Sequence, residues 1–117
     1  MADEETVRRA ALALPEVKEE AHWERPSFRV GGKIFAVLRP AERRAVLKLP
    51  HDHQEMLFAA RPEAFAPARW GRLVWTFVTL PQVDDEQIEA LVAEAWREVA
   101  PKRLVRLTSM DSPAPPR

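Results

Sequence analysis

Apolar side chains recur along this chain with two spacings, and these divide it into helical ends and a strand-rich middle. Val7, Ala10, Ala11 and Leu14 follow the i, i+3, i+4, i+7 spacing of an amphipathic helix. Pro15 disfavours helical geometry at Leu14, so the pattern predicts a helix over residues 3–13. Ile88, Leu91, Val92, Ala95, Trp96 and Val99 repeat the spacing over three turns. Asp84 and Gln87 stand ahead of them as a capping-box pair, acids load the positive end of the helix dipole, and Pro101 stops the run.

In the middle the runs shorten. Residues 27–30 and 33–38 read as strands flanking Gly31-Gly32, a pair that can take the positive φ angles of a two-residue hairpin turn. Residues 44–49 give the next strand, closed by Pro50. Asp52 and Glu55 fit a second capping box, which predicts a short helix over 53–60 burying Met56, Leu57 and Ala60. Residues 61–70, with Pro62 and Pro67, read as a loop, and the β-branched and aromatic run 72–80 as a strand. Residues 18–23 alternate Lys18, Glu20 and His22 against Glu19, Ala21 and Trp23, a polar strand suited to a sheet edge. One domain over 1–107 is expected, then a disordered Pro-rich tail over 108–117 that ends Ser112-Pro113-Ala114-Pro115-Pro116-Arg117.

This order of elements predicts an α+β fold, an antiparallel β-sheet with helices packed on one face. Trp96, Leu91, Ile88 and Val7 are expected to pack against Phe28, Ile34 or Phe35, and Phe77. Alternation sets Phe28 and Val30 opposite Ser27 and Arg29, and Val46 and Lys48 opposite Ala45, Leu47 and Leu49. Arg29 and Lys48 thus share the uncovered face.

Net charge is zero, from 18 basic and 18 acidic residues, which argues against a uniformly basic nucleic-acid coat. The charges are segregated, however. Residues 25–49 hold seven bases (Arg25, Arg29, Lys33, Arg39, Arg43, Arg44, Lys48) against Glu42 alone, and residues 84–98 hold six acids against Arg97 alone. A basic sheet side and an acidic helix side follow.

The chemistry is sparse. Without cysteine there is no disulfide, thiolate nucleophile or Cys-based zinc site. His22 has no second ligand at metal spacing, and the His51/His53 pair lacks a third. Ser27 stands between Arg25 and Arg29, but no base or Gly-x-Ser-x-Gly elbow accompanies it. Trp96 lies on the apolar stripe of the last helix and reads as core. Trp23, Trp70 and Trp75 are either core or ring faces on which a base could stack. The candidate binding set is Arg25, Ser27, Arg29, Lys33, Lys48, Arg72, Lys102 and Arg103, whose guanidinium forks and ammonium groups suit phosphate oxygens. Paired with neighbouring acids, the same bases would be ordinary solvated surface.

His22-Trp23, Arg25-Pro26-Ser27-Phe28-Arg29, Gly31-Gly32-Lys33-Ile34-Phe35-Ala36, Leu47-Lys48-Leu49, Trp70-Gly71, Trp75-Thr76, Ala95-Trp96 and Pro101-Lys102-Arg103 closely resemble the MmcQ/YjbR family of small bacterial proteins. The resemblance covers about residues 6–104. It implies a CyaY-like (frataxin-like) fold and a "double wing" DNA-binding role, the latter a label drawn from fold. In that reading the basic sheet face and the Gly31-Gly32 hairpin contact the sugar-phosphate backbone of DNA weakly and with little sequence readout. The competing reading is a module for a small anionic ligand or a protein partner. A minor one borrows iron handling from frataxin, though the helix acids are better explained as solvation and dipole partners. The expectations are a monomeric binding protein rather than an enzyme, with no cofactor or metal. No apolar run reaches membrane-spanning length and the N-terminus is acidic, so a cytoplasmic location is expected.

Overall fold

The computed structural model describes residues 1–111, with side chains described through Leu107. The first helix, α1 (Glu4–Leu12), begins at Asp3, whose carboxylate accepts the Thr6 backbone N–H while the Thr6 hydroxyl accepts the Asp3 N–H. Six strands follow: β1 (Lys18–His22), β2 (Arg25–Val30), β3 (Lys33–Arg39), β4 (Arg44–Leu47), β5 (Phe65–Trp70) and β6 (Leu73–Thr79). The short helix α2 (His51–Ala60) separates β4 from β5, and α3 (Asp85–Val99) and α4 (Lys102–Asp111) close the chain. All pairings are antiparallel, in the spatial order β1-β2-β3-β4-β6-β5.

The helices cover one face. Val7 and Ala11 of α1, Leu57 of α2, Ile88, Leu91, Val92, Ala95, Trp96 and Val99 of α3 and Leu104 of α4 share one core with Phe28, Phe35, Leu38, Ala45, Leu47, Phe65 and Val78 of the sheet. Each large apolar side chain buried this way contributes roughly 1.5–3 kcal/mol. Trp96, only 1% exposed, satisfies its indole N–H by donating to the carbonyl of Pro15 at 3.1 Å, which ties α3 to the link between α1 and β1. The expected burial of Trp96, Leu91, Ile88 and Val7 against Phe28 and Phe35 is therefore found. Of Ile34 and Phe35 it is Phe35 that joins this core, while Phe77 is a correction: Ile34 and Phe77 lie on the opposite face, beside Val37, Val46, Ala68 and Trp75. A register shift between Phe28 and Arg29 turns Ile34 there by letting Phe35 and Ala36 both join the helix-side core, and Phe77 follows from alternation with the buried Val78 of β6.

Other elements depart from the sequence pattern for identifiable reasons. The predicted loop 61–70 contains β5, an edge strand whose Pro67 is tolerated because one side of an edge needs no ladder hydrogen bond. It joins β6 through the two-residue turn Gly71-Arg72. Helix α2 starts at Pro50 without a side-chain cap, so Asp52 and Glu55 form no capping box. It buries Gln54 and Leu57, leaving Met56 59% exposed and Ala60 exposed, because Gln54 accepts a buried hydrogen bond from Thr76 of β6 at 2.8 Å. Asp84 does cap α3 by accepting the Gln87 N–H, but the Gln87 side chain turns to Arg61 instead of back to the cap. Helix α4 was not predicted, and it continues to Asp111, past the tail boundary expected at 108; residues 112–117 lie outside the described residues.

Two turns set the ends of the sheet. Gly31 and Gly32, with φ of 57° and 82°, form the predicted hairpin turn, and the β5–β6 turn projects from the same end. Strand β4 is short and leaves the sheet for α2 between them. At the other end Trp23 and Glu24 join β1 to β2 with φ of 53° and 65°, left-handed geometry that costs non-glycine residues about 1–2 kcal/mol each.

Two stability predictions follow. Thr76→Val should destabilise the fold by about 1–3 kcal/mol by stranding the buried Gln54 amide, whereas adding Gln54→Leu should recover most of the loss. Urea titration of both variants measures this, and equal losses in the single and double variants would contradict it. Glu24→Gly should raise stability by up to about 1 kcal/mol by relieving one left-handed residue, read as a higher urea midpoint at unchanged slope.

Candidate functional site

The face that no helix covers is not polar. In β3, β4 and β6 apolar residues point both ways, so Ile34, Val37, Val46, Ala68, Trp75 and Phe77 form a second, smaller cluster there. Trp75 packs edge-on against Trp70, with ring centroids 5.2 Å apart. The guanidinium groups of Arg39 and Arg44 lie over the Phe77 ring, 5.4 and 3.9 Å from its centroid. Val37, Val46 and Ala68 are thereby buried beneath rings and arginine stems rather than beneath a helix.

Above this layer is a half-open cleft of about 490 Å³. Its floor is Ile34, Val37 and Val46; Trp70, Leu73 and Trp75 wall one side, and His22, Trp23 and Arg25 the other, with Arg39 between. Three of these apolar residues are well exposed: Trp23 at 82%, Leu73 at 60% and Trp70 at 47%. Among the described residues no carboxylate lines the cleft. Arg25 has no ion pair among the described residues, and Arg39 and Arg44 share the single carboxylate of Glu42. Arg39 Nε is 2.6 Å from Glu42 Oε2 but its N–H is aligned with no acceptor, a charge contact short of a hydrogen bond. The Arg44 hydrogen bond, with help from the Arg39 charge, holds the Glu42 carboxyl below its ordinary range. Two guanidinium groups on one carboxylate leave this corner net positive.

The sequence-predicted residues separate into groups. Arg25, Trp23, Trp70 and Trp75 converge on the cleft. Ser27 is fully buried: its hydroxyl donates to the Glu20 carbonyl at 2.7 Å and accepts from Arg29 Nε at 3.3 Å, so it is committed to holding β1 on β2 and is closed to a ligand. Arg29, opposite Ile34 in the β2–β3 register, is on the open face as expected, but it lines a neighbouring depression of about 360 Å³ that meets the cleft at Gly32 and where Lys18 is offset by Glu16 and Glu20. Lys33 and Arg72 are exposed at the two hairpin tips. Lys48 follows β4, half-buried, and lines neither depression. Lys102 and Arg103 belong to α4, which packs in the helix-side core through Leu104, and Arg103 pairs with Glu16 at 3.0 Å. The candidate set of seven bases and Ser27 therefore does not line one cleft.

Residues missed by sequence reasoning are Arg39, Arg44, Ile34, Val37, Val46, Leu73 and Phe77. The signal was present: residues 34–38 and 73–78 are nearly continuous apolar runs, which mark strands with both faces buried, whereas a strand with one wet face alternates. The histidines have structural partners. His51 pairs with Glu55 at 3.5 Å, and His53 Nδ1 meets Glu94 of α3 at 2.5 Å, clamping α2 to α3. Among the described residues no group of three or more His, Asp or Glu is placed to hold a metal ion, and no helix is long and apolar enough to cross a membrane.

Comparison with known proteins accords with this architecture. Protein DR2400 of Deinococcus radiodurans, whose crystal structure carries the domain DUF419, superposes with a TM-score of 0.76 at 23% identity, over 93% of this chain and 89% of that one, a likeness of fold. No curated protein matches. The YjbR family model matches residues 12–98, from the end of α1 through nearly all of α3, and the chain belongs to the YjbR family.

Proposed function

We propose that this chain is a nucleic-acid-binding protein that uses its open sheet face, as a binding module and not an enzyme. The observation that carries the reading is the cleft: aromatic and apolar walls, cationic side chains at Arg25 and Arg39, and no lining carboxylate among the described residues. Sugar-phosphate oxygens suit the arginine forks, and bases suit the tryptophan rings. The two hairpin tips act as wings, carrying Lys33 and Arg72 on either side of the point where β4 leaves the sheet. Acids on α3 (Asp85, Glu86, Glu89, Glu94, Glu98) repel nucleic acid from the helix layer, so docking is confined to one side. A continuous basic stripe across Arg29, Lys48, Lys102 and Arg103 does not support this role, because Arg29 lines a neighbouring depression, Lys48 lines neither, and Lys102 and Arg103 belong to α4 in the helix layer. Ser27 cannot serve as a phosphate contact or a nucleophile while its hydroxyl is buried and committed.

A second reading has its own observation. The cleft is half-enclosed and its volume is within the roughly 300–1,000 Å³ of small-molecule sites, so a compact anionic ligand with a flat apolar body also fits.

Fluorescence anisotropy with labelled oligonucleotides at roughly 50 mM salt, where phosphate contacts are strong, tests the main reading. Binding should weaken with salt and be no tighter than about micromolar at physiological ionic strength, given one small cationic site on a neutral protein. Arg25→Ala should lower the slope of log K against log salt by about 0.7–0.9, one phosphate contact. Failure to bind single- or double-stranded DNA or RNA would move the assignment to the small ligand. Glu42→Gln should strengthen binding about two- to fivefold by releasing Arg39 and Arg44; unchanged affinity would mean that this corner does not face the ligand.

A further inference from the structure

We infer that the nucleic acid this face takes is unpaired, with one base inserted among Trp23, Trp70 and Trp75; this rests on the nucleic-acid reading above. In a duplex the base faces are stacked on one another and the outside offers phosphate, sugar and base edges. Such a surface would cover Trp23, Leu73 and Trp70, the most exposed apolar side chains of the cleft, without giving them an apolar partner. An unstacked base supplies a flat apolar face of the size these rings need, and aromatic platforms are how single strands are held with little regard to sequence.

The geometry supports insertion over surface stacking. Trp70 and Trp75 stand at 86° to each other and both line the cleft, so the pair offers it two nearly perpendicular ring planes. Trp23 closes the opposite wall from a turn in which it and Glu24 both keep left-handed backbone, so the exposed indole is presented at a conformational cost. Charge sets where the backbone runs. Glu24 and Glu42 border a neighbouring depression at the Trp23 end, beside Arg25 and Arg39. At the hairpin end Arg72 and Lys33 are exposed and have no ion pair among the described residues. The strand would then enter between the hairpins, place a base in the cleft and leave a phosphate on Arg25.

The test compares a labelled single strand of mixed sequence, about a dozen nucleotides, with the blunt duplex of the same sequence. Intrinsic tryptophan emission is followed in parallel. Single-strand binding tighter than duplex binding by tenfold or more, with quenched emission, is expected. Trp23→Ala should weaken single-strand binding about 5- to 150-fold, since each stacked base is worth roughly 1–3 kcal/mol, and weaken duplex binding far less. Trp23→Phe should restore most of it, and because Trp23 is outside the core neither variant should lower the thermal midpoint. Duplex binding as tight as single-strand binding, with Trp23→Ala silent, would overturn the inference while leaving the nucleic-acid reading in place. Absence of both would overturn both. Quenching by a mononucleotide as tight as by the oligonucleotide would also overturn it, in favour of a small-ligand site.

Discussion

A six-stranded sheet with a single layer of helices has two faces and one cover, and the rest of this molecule is arranged around that shortfall. The central strands β3, β4 and β6 are apolar on both sides, because Phe35, Leu47 and Val78 serve the helix-side core while Val37, Val46 and Phe77 point away from it. Leaving the second set in water would forfeit burial at roughly 25 cal/mol per Å² of apolar surface. The chain instead covers it with its own long side chains. Arg39 and Arg44 set their guanidinium groups over Phe77, and Trp75, with Trp70 packed edge-on against it, covers Ala68. This roof is incomplete, and its gap is the cleft.

The same device explains the electrostatics. Arginines used as roofing must keep their heads near the sheet, where an unbalanced cluster would repel itself. Glu42, at the 3₁₀ turn Pro40–Glu42 between β3 and β4, answers both Arg39 and Arg44 from one position. Placing one carboxylate between two guanidinium groups limits the repulsion without cancelling the charge. Arg25, across the cleft, has no such partner among the described residues, so positive charge is concentrated where apolar rings are exposed. That coincidence distinguishes this region from Arg29, Lys18, Glu16 and Glu20, where bases and acids alternate around a depression with no aromatic wall.

Much of the scaffold was legible in the chain because it obeys one periodicity at a time. Helix α3, helix α1 and the Gly31-Gly32 hairpin are specified by local spacing, caps and φ requirements that need no knowledge of the fold. Strand β5 was not legible, since Ala66, Pro67 and Ala68 have weak strand preference and hold together only through β6 beside them. Helix α2 lost its register for a similar reason: a buried Gln54–Thr76 hydrogen bond outranks the exposed Met56, and no pattern within α2 announces a partner 22 residues away. For the site, three tryptophans and Arg25 of the set read from the sequence converge on one cleft, whereas Ser27 is buried, Arg29 lines a neighbouring depression, and Lys102 and Arg103 ride on α4. Which charges share a surface is decided by strand order, and strand order is not a local property.

The sheet edges narrow what kind of association the exposed cleft can serve. Edge β1 carries Lys18, Glu19 and Glu20, all exposed, and a further strand added there would have to pair against their charges. Edge β5 carries Pro67, which has no N–H to offer a ladder. Both edges are therefore poor templates for strand addition, either by another copy of this chain or by an extended peptide, even though the sheet is long and its centre strongly apolar. In the proposed binding role, recognition is left to the face. There the hydrogen-bonding groups of the backbone are already used in the ladders, so a ligand must be held by side chains alone: by ring faces, by the guanidinium groups of Arg25 and Arg39, and by the imidazole of His22. A partner recognised by flat apolar surface and anionic charge meets those terms, whereas one recognised through its main chain does not.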